Sequence, residues 1–208
     1  MRLNVSPLCR VVQIVNGFYA AGGCVHIKGS SPTFTNVLMR DCAASVFALL
    51  SLAPAGGGGG AVMVYGAGAA PMFQRCSFWN CTTASLYGGG AIRIQTSATP
   101  TFEDCDFVGG ASQGGGGAAS VSGHLDSAGA TFRNCSFLEN RGLSGESGGA
   151  LKVEGTGDTL VVNGTFIGNS AESVRLPMAV CDRCRAWSSH VPPVHRRCGS
   201  SCALRPAP

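Results

Sequence analysis

Four of the eleven cysteines lie close together near the C-terminus, in a pattern that could bind a metal ion. They have the spacing Cys-x2-Cys-x13-Cys-x3-Cys with two histidines in between, at Cys181, Cys184, Cys198, Cys202, His190 and His195. Four thiolates at this spacing approximate a zinc site. The alternatives are a disulfide-linked knot and a tail that has no metal site. We expect no metal and no cofactor, and the four cysteines are the candidates if zinc is bound.

Three further cysteines, Cys76, Cys105 and Cys135, share the local pattern Phe-x-x-Cys-x-Phe. Redox activity and metal binding are conceivable for such a set, but burial as small hydrophobic groups is the favoured interpretation. If the three segments are parallel neighbours, their Cβ atoms lie about 4.8 Å apart, beyond the disulfide mean of about 3.8 Å. Cys42 and Cys81 occupy a corner position and are better disulfide candidates.

Carboxylates are the other chemically relevant group, because glycoside cleavage requires two of them flanking one bond. Glu103, Asp104 and Asp106 crowd a single segment of the chain. Their expected neighbours in the adjacent segments are Gln74, Arg75, Ser77, Arg133, Asn134 and Ser136. This places Arg75 beside Asp104 and Glu103 beside Arg133 without pairing two acids. We therefore predict a solvated edge, no catalytic residues and no enzymatic activity.

These residues are positioned by an internal repeat. A Gly-Gly-small-apolar-x-apolar unit occurs five times, beginning at Gly22, Gly59, Gly89, Gly116 and Gly148. The Phe-x-x-Cys-x-Phe unit follows three of the copies, and degenerate versions follow the first and last. We expect the x-x pair between phenylalanine and cysteine to turn the chain. The copies are 37, 30, 27 and 32 residues apart. Unequal periods with constant motifs indicate loops of variable length on a fixed frame.

The first unit alternates with a period of two, which is typical of a strand with one buried face. We expect the glycines to allow a tight bend into this strand. The inward positions are Val25/Ile27, Val62/Val64, Ile92/Ile94, Ala119/Val121 and Leu151/Val153. The outward face is predicted to expose His26/Lys28, Met63/Tyr65, Arg93/Gln95, Ser120/Ser122 and Lys152/Glu154.

A single copy is too small to fold alone. It offers about five inward apolar groups, worth on the order of 10 kcal/mol, whereas ordering its backbone costs roughly 1–2 kcal/mol for each residue. Stacked copies bury one another's faces and pair their backbones. The sequence therefore predicts an all-β fold, a single-stranded parallel β-helix of about five coils, with ladders of phenylalanine, aliphatic and cysteine side chains.

At these residues the chain resembles the polymorphic outer-membrane proteins, whose repeat combines Gly-Gly-Ala-Ile/Leu/Val with Phe-x-x-Asn. The second half matches at Phe137–Asn140 and Phe166–Asn169, while the earlier copies carry Cys42, Cys81 and Gly110 in the asparagine slot. The resemblance covers roughly residues 22–170. It implies a right-handed parallel β-helix with a surface or adhesion role and no catalytic residues.

Composition divides the chain into three parts. Residues 1–21 are predicted to form an incomplete N-terminal coil or cap, residues 22–170 the β-helix, and residues 171–208 an irregular Cys/Arg-rich tail. Nine basic and nine acidic residues balance in residues 1–170, so the net charge of +4 comes from six arginines against two acids in the tail. This balance argues against nucleic acid as a partner.

The expected function follows from the fold and the missing active site. We expect an extracellular or cell-surface, non-enzymatic scaffold that presents loops and a flat strand face to a protein or glycan partner. The alternative is a carbohydrate-active β-helix enzyme, a polysaccharide lyase or hydrolase, or a fragment of one. No membrane-spanning segment and no signal-peptide pattern are found in the sequence, which leaves a cytosolic protein or a fragment of a longer exported one, and we favour the fragment. Exposed coil ends predict end-to-end self-association or further repeats.

Overall fold

The protein is described here from a computed structural model. The structure describes residues 12–19, 22–45, 58–123, 127–143, 148–155, 157–171 and 202–204. These residues form short β-strands, and no helix occurs among them. In particular, the described part contains no helix that is long and apolar enough to span a bilayer.

The strands follow one another as a partial coil and five complete coils. The partial coil consists of β1 (Val12–Val15) and β2 (Phe18–Tyr19). The first and second complete coils are β3 (Val25–Lys28), β4 (Thr33–Thr35), β5 (Val37–Arg40), β6 (Ala43–Ala44), β7 (Val62–Tyr65), β8 (Met72–Gln74), β9 (Ser77–Trp79) and β10 (Thr82–Thr83). The third and fourth are β11 (Ile92–Gln95), β12 (Thr101–Glu103), β13 (Asp106–Val108), β14 (Ala111–Ser112), β15 (Ala119–Gly123), β16 (Ala130–Arg133), β17 (Ser136–Leu138) and β18 (Arg141–Gly142). The fifth is β19 (Leu151–Gly155), β20 (Thr159–Val162), β21 (Thr165–Ile167) and β22 (Ser170–Ala171), and β23 (Cys202–Leu204) follows.

Corresponding strands of successive coils pair in parallel and form four sheets. Sheet 1 holds β3, β7, β11, β15 and β19, and sheet 2 holds β4, β8, β12, β16 and β20. Sheet 3 runs from β1 through β5, β9, β13 and β17 to β21, and sheet 4 from β2 through β6, β10, β14 and β18 to β22. The predicted all-β, single-stranded parallel β-helix is confirmed. The two-residue strands of sheet 4 were not predicted, because the sequence motif ends before them.

Two columns of stacked phenylalanines fill the shaft. Phe73, Phe102 and Phe132 are fully buried, and the ring centroids of adjacent members lie 4.9 Å apart. The second column, on sheet 3, stacks at 4.6–5.0 Å and contains Phe78, Phe107, Phe137 and Phe166. Rings of the two columns meet edge to face at 5.5–6.3 Å. Both arrangements are favourable for aromatic quadrupoles, so the predicted phenylalanine ladder is confirmed.

The x-x pair between phenylalanine and cysteine turns the chain through a left-handed residue. The corner between sheets 2 and 3 has a positive φ of 52–56° at Asn36, Arg75, Asp104, Asn134 and Asn163. Asparagine and aspartate adopt this conformation more readily than most other residues. The predicted turn is therefore confirmed, and its residue preferences have a backbone cause.

The chain bends at the second glycine of the pairs before the strands of sheet 1, as predicted, but a special backbone angle is not the reason for glycine there. The second glycine of the pair has no positive φ at Gly60, Gly90 and Gly117. Instead, a Cβ on Gly90 would lie 1.8 Å from the carbonyl oxygen of Gly117 in the next coil. Glycine is required because successive backbones approach too closely at this corner for any side chain.

Candidate functional site

The three cysteines of the repeat form a buried column, as predicted. Cys76, Cys105 and Cys135 are free thiols with at most 2% exposure. The Cys105 Sγ donates towards the Phe73 carbonyl oxygen at 3.4 Å, and the Cys135 Sγ towards that of Phe102 at 3.5 Å. Each thiol thus contacts the backbone of the preceding coil, which is a structural role.

The environment of these thiols suppresses their ionisation. Hydrogen bonding from Cys135, with burial adding to it, raises the pKa of Cys105 to about 12. The pKa of Cys76 is raised as well, through its hydrogen bond with Cys105 and through burial. At the neighbouring corner, burial raises the pKa of Cys81 to about 11. Because the thiolate is the reactive form, these groups are poorly suited to redox or nucleophilic chemistry.

We expect Cys81 to react with iodoacetamide at about pH 8 roughly a hundredfold more slowly than an unperturbed thiol, because of its higher pKa alone. The measurement is peptide mapping of the labelled protein by mass spectrometry, with urea-unfolded protein as the control. Folding therefore raises the pKa of the Cys81 thiol from 9.0 to about 11. The stability from the protonated Cys81 is therefore complete below pH 9 and is lost as pH rises towards 11. Rapid labelling of folded Cys81 would contradict its burial.

The disulfide prediction is correct for one of its two cysteines. Cys42 forms a disulfide with Cys24, whereas Cys81 is a free buried thiol. Cys24 belongs to the first Gly-Gly unit, in the small-residue position that alanine occupies in the other copies. The sequence signal was therefore this single exception. The bond joins two positions of the first coil, 18 residues apart, instead of neighbouring coils.

The asparagines that carry the family resemblance form a hydrogen-bonded column, in which Asn140 is buried and Asn169 half-buried. The Asn140 Oδ1 accepts from the Gly110 backbone N–H at 2.9 Å, and its Nδ2 donates to the Asn169 Oδ1 at 2.9 Å. The Asn169 Nδ2 in turn donates to the Phe137 carbonyl oxygen at 2.8 Å. A Cβ at Gly110 would lie 2.4 Å from the Gly117 carbonyl oxygen and 3.0 Å from the Asn140 Oδ1, so an asparagine does not fit at this position.

The three acids of the third coil each have a neutral partner in an adjacent coil. Asp106 accepts a hydrogen bond from Ser136, Glu103 one from Gln74 and Asp104 one from Asn134. The Cα atoms of Glu103 and Arg133 are register partners, as predicted. Neither predicted ion pair forms between the described side chains, since Arg75 donates to the Asn36 Oδ1 at 2.9 Å instead.

The outward face of sheet 1 is covered in its central coils, contrary to the prediction of exposure there, whereas His26, Lys28 and Glu154 in its end coils are exposed as predicted. Met63, Arg93, Gln95 and Ser120 are exposed by 7% or less. The segment between β10 and β11 crosses this face, and the Tyr87 carbonyl oxygen accepts from the guanidinium of Arg93 and from the Ser120 hydroxyl. Alternation identified which side chains point outward, but it could not show that a loop of the same coil folds over them.

Arg93 holds this covering segment in place. Its guanidinium also donates to the Ser120 Oγ at 2.8 Å and to the Gln95 Oε1 at 3.4 Å. Burial lowers the pKa of Arg93 to about 10, and the charge of Glu154 acts in the opposite direction. A buried cation with neutral partners is costly to form. Its hydrogen bonds nevertheless tie the Tyr87 carbonyl of the loop to the side chains of Ser120 and Gln95, so the central part of this face is covered.

The exposed flat surface of the structure is the outer face of sheet 3. One row on this face, the lateral apolar row, is defined by Trp79, Val108, Leu138 and Ile167, which are register partners in successive coils. Trp79 and Ile167 are 48% and 37% exposed. A second row two residues earlier, the polar row, is defined by Ser77, Asp106, Ser136 and Thr165.

Sequence reasoning missed this face. The signal was present in the residue after the second phenylalanine of each unit, which is tryptophan, valine, leucine or isoleucine in four successive coils. A single apolar residue at an outward strand position is ordinary. Its recurrence at the same position of four coils makes a contiguous apolar stripe, which is the informative feature.

The metal prediction for the tail falls outside the described residues at Cys181, Cys184 and Cys198. At Cys202 the backbone alone is described, in β23, which pairs antiparallel with β20. Within the described ranges, no group of three or more His, Cys, Asp or Glu side chains could hold a metal ion. The expectation of no metal, with these cysteines as the candidates if zinc is bound, therefore stays a prediction.

The four-sided coils, the stacked core and the absence of an α-helical layer in the described part define a parallel β-helix protein. The family model of the right-handed β-helix region matches residues 59–186, more than half of the chain. The chain therefore belongs to the right-handed β-helix family. None of the curated proteins and none of the solved structures matches it.

Proposed function

We propose that the protein is a non-enzymatic interaction scaffold of the extracellular space or cell surface, and that it binds a glycan on the outer face of sheet 3. The observation that carries this proposal is the lateral apolar row, which crosses four coils beside the polar row. Strand spacing puts successive members about 4.8 Å apart on a flat surface. An extended chain molecule laid across the coils would meet both rows along its length.

The chemistry of the two rows favours a sugar polymer over a protein groove partner. The exposed Trp79 ring offers an apolar surface with a polar edge, which suits the alternating apolar faces and hydroxyl rims of sugar rings. Asp106, Ser136 and Thr165 provide acceptors and hydroxyls on the same face. A protein partner would instead be expected to seek a deeper pocket for its anchoring side chains.

The disulfide supports an extracellular location. Disulfides such as Cys24–Cys42 form and persist mainly in oxidising compartments. Kinship with the polymorphic outer-membrane proteins is part of the same proposal. Its support is the hydrogen-bonded Asn140–Asn169 column, which gives the Phe-x-x-Asn unit a structural reason to recur.

The test is affinity gel electrophoresis against β-glucan, xylan, polygalacturonate and chitin oligosaccharides. We expect retention by at least one polymer, and a dissociation constant at least about tenfold weaker for Trp79→Ala, because exposed tryptophans are frequent binding hot spots. In a Trp187→Phe background, Trp79 is the one remaining tryptophan. Its emission should shift to shorter wavelength as the polymer is added.

The matched control is Leu86→Ala, which removes a 62% exposed apolar side chain from the loop over sheet 1. This variant should bind like the wild type. Equal retention of both variants would contradict the assignment of the face, and failure of all polymers to retain the protein would contradict the glycan. Release of reducing ends or unsaturated sugars in the same incubations would favour the enzymatic alternative instead.

A further inference from the structure

The outer face of sheet 3 carries an excess of negative charge. Asp106 is the one charged residue in the lateral apolar row and the polar row together. In the same coils, the corner before the polar row adds Arg75 and Asp104, and the corner after the apolar row adds Glu139. All four side chains are exposed. Three acids therefore accompany one arginine here, whereas residues 1–170 as a whole balance nine basic against nine acidic residues.

The arginine at the corner does not pair with these acids. Arg75 donates from its Nε to the Asn36 Oδ1 at 2.9 Å, and Asn36 lies in the coil on the opposite side from Asp104. At the N-terminal end of the face, Arg40 pairs with its neighbour Asp41 at 3.0 Å and so adds no net charge. Within the described part of the chain, none of the three acids forms an ion pair.

The nearest other cations lie on the adjacent faces. On sheet 2, Arg133 has a register partner of opposite charge, Glu103. Arg141 belongs to β18 and is exposed on sheet 4, beyond the corner that holds Glu139. A ligand laid along the two rows of sheet 3 therefore meets Asp106 directly, while these cations lie around the corners.

Neutral donors hold the two aspartates in place. Asp106 accepts a hydrogen bond from the Ser136 hydroxyl, and the Asp104 Oδ1 accepts from the Asn134 Nδ2 at 3.1 Å. These donors orient the carboxylates without cancelling their charge. Because an ionised carboxylate has about four lone-pair sites, Asp106 keeps acceptor sites for a ligand.

Such a face distinguishes charged from uncharged glycans. A polymer of uronic acids would place its own carboxylates beside Asp106, and like charges brought together at an interface disfavour binding. An uncharged polymer presents hydroxyl groups, which donate strong hydrogen bonds to a carboxylate. The lateral apolar row contacts both kinds of polymer alike, so the acids decide between them.

We propose that Asp106 determines the charge specificity of this face, and that the glycan bound there is an uncharged polymer and not a polyuronate. This inference rests on the proposed function, because it names the class of polymer for the same two rows. Asp106 lies inside the polar row, between its register partners Ser77 and Ser136. A chain that spans the four coils passes over it wherever the chain begins.

The experiment is isothermal titration calorimetry of the full chain with two ligands, a soluble β-glucan and the same polymer with its primary hydroxyl groups oxidised to carboxylates. We expect the wild type to bind the oxidised polymer at least about tenfold more weakly. Asp106→Asn should weaken binding of the β-glucan and strengthen binding of the oxidised polymer. The ratio of the two dissociation constants should fall roughly fivefold, the upper range for an exposed charge pair.

Asp158→Asn is the matched control. It removes the same charge from an exposed residue in the connection between β19 and β20, away from sheet 3, and should leave the ratio unchanged. Ionic strength provides a readout that needs no variant. Raising it from about 0.01 M to about 0.1 M shortens the screening length from about 30 Å to about 10 Å, so the discrimination by the wild type should narrow.

The outcomes separate this inference from the function on which it rests. If both polymers bind equally well, or the oxidised one binds more tightly, and Trp79→Ala weakens both, the specificity is overturned and the glycan-binding face stands. If Asp158→Asn changes the ratio as much as Asp106→Asn, net charge is the cause and the role of Asp106 is overturned. If no polymer binds at all, the inference and the proposed function fail together.

Discussion

Replacing Phe102 by alanine is expected to lower the free energy of unfolding by about 3–5 kcal/mol, the range for truncating a buried aromatic ring. Phe102 is fully buried, stacks between Phe73 and Phe132 and makes edge-to-face contacts with Phe78 and Phe107. The substitution opens a cavity in the centre of both columns, and the stacked coils cannot collapse into it without losing register. The measurement is urea denaturation followed by circular dichroism.

The matched control is Phe166→Ala, at the end of the second column. Phe166 stacks on Phe137 on one side and is 38% exposed, so its removal should cost clearly less than the removal of Phe102. If the two substitutions were equally mild, at about 1 kcal/mol, the columns would not form the core.

Replacing Gly90 by alanine is expected to cost more than about 4 kcal/mol or to prevent folding, which exceeds the effect of most single substitutions. The added Cβ would lie 1.8 Å from the Gly117 carbonyl oxygen and 2.7 Å from the Ala111 backbone nitrogen. Both are backbone atoms, so no side chain can move away to relieve the contact. The yield of folded protein and the urea midpoint measure the effect.

Gly68→Asn is the control for this substitution. Gly68 has a φ of +77°, which asparagine tolerates, and a Cβ there would have nothing within 4 Å. The asparagine variant should stay within about 1 kcal/mol of the wild type. A Gly90→Ala variant as stable as the asparagine variant would mean that the coils are farther apart at this corner than the structure has them.

The sequence alone predicted the elements that repeat. The strand of the Gly-Gly unit, the turn at Arg75 and the stacking of Phe73 on Phe102 all recur in the coils, so their alignment implied their register. Sheet 4 was missed because its two-residue strands carry no hydrophobic alternation. A strand of two residues places few requirements on side-chain type, so no sequence pattern marks it.

The parts that do not repeat could not be predicted in the same way. The cover over Arg93 depends on one loop, and its key acceptor is the backbone carbonyl of Tyr87, which any residue would supply. The Cys24–Cys42 bond depends on a single cysteine in an alanine position. Periodicity gives the direction of a side chain, whereas the covering of that side chain is a property of individual loops.

These differences moved the candidate binding surface from one side of the helix to another. The central part of the predicted face on sheet 1 is covered by a loop. The outer face of sheet 3 carries the apolar and polar rows. Because both rows follow the coil register, extra coils would lengthen the surface without changing its chemistry. A repeat of this kind suits the recognition of a polymer with a regular spacing.

The central claim is that equivalent residues of successive coils lie directly over one another around a common apolar shaft. A crystal structure of the chain tests it most directly. We expect the rings of Phe73, Phe102 and Phe132 to be stacked with centroids close to 4.9 Å apart and shielded from solvent. Rings that are separated by intervening chain or turned towards solvent would contradict the fold, the register of the lateral rows and the functions inferred from them.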